Sequence, residues 1–98
     1  MAAYMIVLID IRNSDWVADY RAKVPAILAS YGGEYITVGE AIEQLEGTLS
    51  LPRGNAAILR FPDIASIKAF RASEEYRPFL ESRLPFADAE IFAFEASI

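Results

Sequence analysis

Cysteine and histidine are both absent from this 98-residue sequence, and each absence removes a set of chemistries. Without cysteine there is no disulfide, thiolate metal site or thiol nucleophile. Without histidine the chain lacks the commonest general base, the commonest transition-metal ligand and the usual proximal haem ligand, so histidine-ligated haem degradation is excluded. Positive charge is scarce as well: nine Lys and Arg against fourteen Asp and Glu leave a formal charge of −5. Affinity for nucleic acid comes largely from clustered Lys and Arg; here they are scattered, and no nucleic-acid partner is expected. Long apolar runs are missing too. The first, from Met1, meets Asp10 and Arg12 too early to span a bilayer and has no basic leader, so no membrane partner and a cytoplasmic location are expected. No spacing resembles a calcium loop or a P-loop, and neither a metal nor a cofactor is expected.

What is there is a folding composition, 54% hydrophobic and 23% charged, expected to form a single domain over residues 1–98. Tyr4 to Ile9 reads as a strand with both faces apolar. Trp16, Val17, Tyr20, Val24, Ile27, Leu28 and Tyr31 recur at helical spacing, predicting a helix over 15–30, capped by Asn13 or Ser14, bent at Pro25 and stopped at Gly32-Gly33. Residues 34–38 read as a second strand, 42–46 as a short return strand, and 48–55 as a loop. Residues 56–61 form a third main strand, and Pro62-Asp63 opens a helix that breaks near Ser73. Its second piece turns Tyr76, Phe79, Leu80 and Leu84 inward and ends at Pro85. Residues 89–95 form the last strand.

This order predicts an α+β fold, a βαββαβ sandwich with an antiparallel sheet and two helices on one face. Two helices cover one face only, yet the first strand is apolar on both and the last puts Phe92 and Phe94 on a single side. A solvated face should alternate with polar residues; the expected remedy is a homodimer through the sheet face, ahead of a cover by loop 48–55 or the termini.

The run from Tyr20 to Pro25, Tyr31-Gly32-Gly33-Glu34-Tyr35, Leu45-Glu46-Gly47, Phe61-Pro62, Ser73-Glu74-Glu75-Tyr76 and Arg83 resembles the small uncharacterised proteins grouped as DUF1330, over nearly the whole chain. That resemblance implies a ferredoxin-like domain paired as a dimeric α+β barrel and no settled activity. The wider superfamily includes cofactor-independent monooxygenases, haem-degrading enzymes, lactone isomerases and proteins without known catalysis. The sequence departs from the family pattern at Val38, at Phe70-Arg71 and after Glu95.

The candidate ligand-binding residues are Arg60, Tyr35, Tyr76, Trp16, Asp10 and Arg83. Arg60, on an otherwise apolar strand, needs a carboxylate such as Glu46, Glu90 or Glu95, a ligand anion or a route to water. Asp10 ends the first strand, where it borders either a cleft or solvent. Trp16, Tyr20, Tyr31, Tyr35 and Tyr76 suit either an apolar core or a pocket rimmed by phenols, and the resemblance raises Tyr35 and Tyr76. Arg83 enters with the last segment of the resemblance. Glu43 with Glu46 and Glu74 with Glu75 read as structural. Two functions stay open: binding or transforming a small anionic or aromatic metabolite in a sheet-helix cleft without a cofactor, or a non-catalytic homodimeric interaction module.

Overall fold

Alternation along the first strand decides which side of the sheet becomes the core. In the computed structural model, which describes residues 1–98, β1 (Ala3–Ile11) buries Ala3 and Met5 on one face and leaves Tyr4, Ile6 and Leu8 on the other. The remaining strands are β2 (Glu34–Glu40), β3 (Asn55–Phe61) and β4 (Ala87–Glu95), arranged β2-β3-β1-β4 and antiparallel throughout. Three helices complete the chain: α1 (Val17–Ser30), α2 (Ile64–Ala72) and α3 (Arg77–Arg83), the last running into a 3₁₀ turn at Leu84–Phe86. Val24 and Leu28 of α1, Ile67 and Phe70 of α2, and Tyr76 form one core with Met5, Leu59 and Phe61 of the sheet. All helices therefore cover one face. Each large side chain in this core contributes about 1.5–3 kcal/mol by leaving water. No helix is long and apolar enough to cross a membrane.

Local chemistry sets the helix ends. α1 stops where Gly33 N–H donates to Leu28 O (2.9 Å) and Gly32 N–H to Ala29 O (3.0 Å), with Gly32 at φ +82°, the paired C-terminal bonds that a left-handed residue permits. A side chain at Gly33 would meet Leu28, and would come within 2.6 Å of the Phe61 ring, so the stop also sets how closely α1 approaches the sheet. α2 is capped by Asp63, which accepts from Ser66 N–H at 2.7 Å. Ser73 Oγ accepts from Tyr76 N–H at 3.2 Å and donates to Phe70 O at 2.8 Å, making the break between α2 and α3 that the sequence predicts.

Three local expectations are corrected. Neither Asn13 nor Ser14 caps α1: Asn13 Oδ1 accepts from Asp15 N–H instead (2.9 Å), and the turn that follows brings Trp16 to the helix start. Residues 42–46 form no strand. Ala41 and Ile42 donate to Gly54 O and Arg53 O, but the chain then leaves this short ladder and makes no further backbone hydrogen bond there. Leu84 is 57% exposed, because the buried position at the end of α3 is taken by Arg83.

Candidate functional site

A cavity of about 690 Å³ lies between the helix-facing side of the sheet and α1, within the range of about 300–1,000 Å³ typical of small-molecule sites. Met5, Val7 and Leu59 form its floor, and Trp16, Tyr20 and Val24 its roof. A β-bulge shapes its rim. Tyr35 pairs with Leu59 and Val38 with Ala57, the register slipping by one residue between Tyr35 and Thr37. Residues three apart on a regular strand face opposite ways; the inserted residue puts both Tyr35 and Val38 on the cavity side.

The polar lining is unusual for this chain. Arg83 borders the cavity at 4% exposure, yet it makes none of the molecule's three ion pairs, which join Arg12 to Asp88, Lys23 to Asp19 and Arg60 to Glu34. No side-chain hydrogen bond holds it either; those of arginine guanidinium groups belong to Arg12, Arg53 and Arg60. A buried guanidinium is normally matched by a carboxylate, since desolvation costs several kcal/mol per ion. Trp16 adds a fully buried unmatched donor, its Nε1–H having no acceptor in the protein. Such a donor costs about 1–3 kcal/mol.

Between them stand the phenols. Tyr20 and Tyr76 share a hydrogen bond of 2.6 Å in which either can donate, so one O–H is committed to the pair and the other remains free to donate. Burial, followed by the adjacent Tyr76, pushes Tyr20 well above the ordinary phenol range, with Arg83 pulling weakly the other way. Burial likewise raises Tyr35, reinforced by Tyr76 and opposed by Arg21. Tyr20 and Tyr35 are therefore neutral donors at physiological pH. At the mouth, Arg21, Glu40 and Tyr35 are exposed.

Of the six residues singled out in the sequence, four meet here: Trp16, Tyr35, Tyr76 and Arg83. The other two do not. Arg60 lies on the opposite face of the sheet, paired with Glu34 rather than with Glu46, Glu90 or Glu95, because the buried Leu59 and Phe61 on either side turn it outward. Asp10 is a loop anchor, its Oδ1 accepting from Gly54 N–H (2.7 Å) and Arg53 N–H (3.2 Å). Tyr20, read as core or pocket, is part of the lining. Arg21, inside the Tyr20 to Pro25 run of the resemblance, and Arg71, at one of its departures, also line the cavity and were missed as candidates. No group of three or more Asp and Glu side chains lies close enough to hold a metal ion.

Structural comparison finds the same architecture repeatedly. A protein of unknown function from Rhodopseudomonas palustris superimposes with a TM-score of 0.78 at 16% identity, covering 99% of this chain and 83% of that one. SnoaB, a cofactor-independent oxygenase from Streptomyces nogalater, gives 0.69 at 12% identity over 99% and 94% of the two chains. A dimeric ferredoxin-like protein of unknown function from Jannaschia sp. CCS1 also gives 0.69, at 10% identity over 98% and 100%. At these identities the likeness speaks for the ferredoxin-like fold alone. No curated protein matches the sequence. The family model described as a domain of unknown function, DUF1330, matches residues 2–97, and the chain belongs to that family.

Proposed function

We propose that the chain binds a small organic anion with a flat apolar body in the cavity under α1, with Arg83 as its anchor. The observation that carries this reading is an arginine, Arg83, only 4% exposed and paired with no carboxylate. A bound anion would supply the charge the protein withholds. The apolar floor and roof would take an aromatic or similarly planar body, and Tyr35 and the Tyr20–Tyr76 pair would donate hydrogen bonds to its oxygen atoms. Toward such a ligand this lining can hold and stabilise negative charge. The described activity of the Streptomyces nogalater oxygenase, which shares the fold, supports a substrate site here by analogy only.

Two copies pairing through the open sheet face complete the proposal. Ile6, Ile58, Phe92 and Phe94 lie on that face, and Tyr4 stacks on Phe94 with ring centroids 5.8 Å apart. Both phenylalanines are 51% exposed. An apolar patch of this kind marks an association surface, and the Jannaschia neighbour is described as dimeric. An assembly module without a ligand would account for this face but leaves Arg83 buried to no purpose.

Trp16 is the only tryptophan and lines the cavity, so its fluorescence reports occupancy. Titration with 1-naphthoate is expected to quench it saturably, and Arg83→Met to weaken binding about ten- to a hundredfold, the worth of hydrogen bonds to a charged group. Absence of quenching, or equal affinity in the variant, would sink the proposal.

A further inference from the structure

A chain of net charge −5 would be expected to surround any cavity with carboxylates. Here the opposite holds. Of nine Lys and Arg, three line this one cavity, Arg21, Arg71 and Arg83; of fourteen Asp and Glu, one does, Glu40, and it is exposed at the mouth. Counting those residues, three positive and one negative, leaves the lining at +2 within an acidic molecule. β1, β3 and β4 contribute no titratable group to it, their lining residues being apolar or, at Asn55, neutral.

The hydrogen-bonding inventory leans the same way as the charge. Arg83 and the Trp16 Nε1–H can only donate. Tyr20 and Tyr76 satisfy each other with one proton and leave one to give. Tyr35 and Tyr20 are held as neutral phenols by burial and by their neighbours. The lining therefore combines positive charge with phenols that can donate, and its inner part has no carboxylate to accept a proton from a ligand. A neutral ligand hydroxyl placed there could give its proton to a phenol oxygen but would leave the Arg83 charge unanswered, whereas an oxyanion would accept from the donors and meet that charge as well.

Resting on the anion-binding reading above, we propose that the cavity discriminates between the two protonation states of a weak oxygen acid, taking the phenolate or enolate and leaving the neutral form in water. On binding, the O–H bond of the acid breaks heterolytically. The electron pair stays on the ligand oxygen, facing Arg83 and the phenol pair, and the proton leaves to solvent or buffer. Each tenfold preference for the anion lowers the bound acid's pKa by about one unit.

The test uses the whole protein and three probes of similar shape. 4-Nitrophenol reports its ionisation by visible absorbance, 4-nitroanisole has the same ring and cannot ionise, and 4-nitrobenzoate is a permanent anion. Trp16 fluorescence follows binding of each. At about one pH unit below the free phenol's pKa, 4-nitrophenol is expected to bind with the absorbance of its phenolate, 4-nitroanisole to bind at least about tenfold more weakly, and Arg83→Met to abolish the colour. Binding of 4-nitrophenol as the neutral phenol, equal affinity for 4-nitroanisole, or undiminished colour in Arg83→Met would overturn the inference. If 4-nitrobenzoate still binds in those cases, the anion site stands and only its selectivity for weak acids falls. If none of the three binds, both fall together.

Discussion

The hydroxyls of Tyr20 and Tyr76 meet at 2.6 Å across the top of the core, tying α1 to the junction between α2 and α3. Their rings pack edge to face with centroids 6.1 Å apart, and Tyr76 lies 4.5 Å from Phe70. Each phenol offers the other the partner that a partly or fully buried hydroxyl requires. Tyr20→Phe is expected to cost about 1 kcal/mol in urea unfolding, and Tyr76→Phe a similar amount. Because the two residues share one bond, the double variant should cost less than the sum. Additive losses would mean that the bond contributes nothing of its own.

Arg83 is expected to set stability against binding. Replacing a buried, unmatched charge with a side chain of similar volume relieves its desolvation, so Arg83→Met should raise unfolding stability by about 1 kcal/mol or more while weakening 1-naphthoate. A loss of both would show that the guanidinium is a structural tie. Arg60→Ala, on the other face of the sheet, is expected to leave naphthoate affinity unchanged in the same fluorescence titration.

The open face should govern assembly. Phe94 is 51% exposed, so Phe94→Asp disturbs little within one copy but places a charge in the apolar patch, where burial without a partner is strongly unfavourable. Sedimentation velocity is expected to find a dimer for the natural chain and a monomer for the variant, with unchanged far-ultraviolet circular dichroism. A variant that remains dimeric would move the interface elsewhere.

Stability should fall at both ends of the pH scale for different reasons. Hydrogen bonds from Ser66, its backbone N–H foremost, hold the Asp63 carboxyl below its ordinary value. The folded state thus binds that proton less readily than the unfolded one. This stabilisation is present above the unfolded pKa of about 3.9 and disappears as pH falls through the folded value. The advantage of the natural chain over Asp63→Asn should therefore shrink toward acid in thermal unfolding. Tyr20 and Tyr35 run the other way. Their folded phenols hold the proton more tightly, so stability should decline as pH rises past about 10, where the unfolded chain's tyrosines ionise. A gap for Asp63→Asn that is constant with pH would remove the first effect.

Much of the fold was legible because it rests on local chemistry and repeated apolar spacing. The α1 stop at Gly32-Gly33, the Asp63 start of α2 and the Ser73 break each need only a few neighbouring residues, and each is found. Residues 42–46 misled because their alternation fits a strand, while a strand also needs a partner that alternation cannot supply. Leu84 misled because the 3₁₀ turn after Arg83 ends the helical spacing from which its inward position was read.

For the site, the kinds of residue were readable and their meeting place was not. Composition alone excluded histidine and cysteine chemistry, and the aromatic residues on either side of the future cavity stood out in the sequence. Whether a charge on an apolar strand faces a cavity is a question of sheet parity and of what lies opposite. Arg60 drew attention because its neighbours are apolar, yet those same neighbours, packed inward, turn it to the outer face. Arg83, in a polar helical stretch, showed no such contrast. Only the packing of α3 against the core buries Arg83 near Tyr20, Tyr76 and Trp16, residues up to 67 positions away in the chain. Alternation and capping act over a few residues and can be read from the sequence; which buried donor lacks an acceptor depends on long-range packing, and the tertiary structure alone decides it.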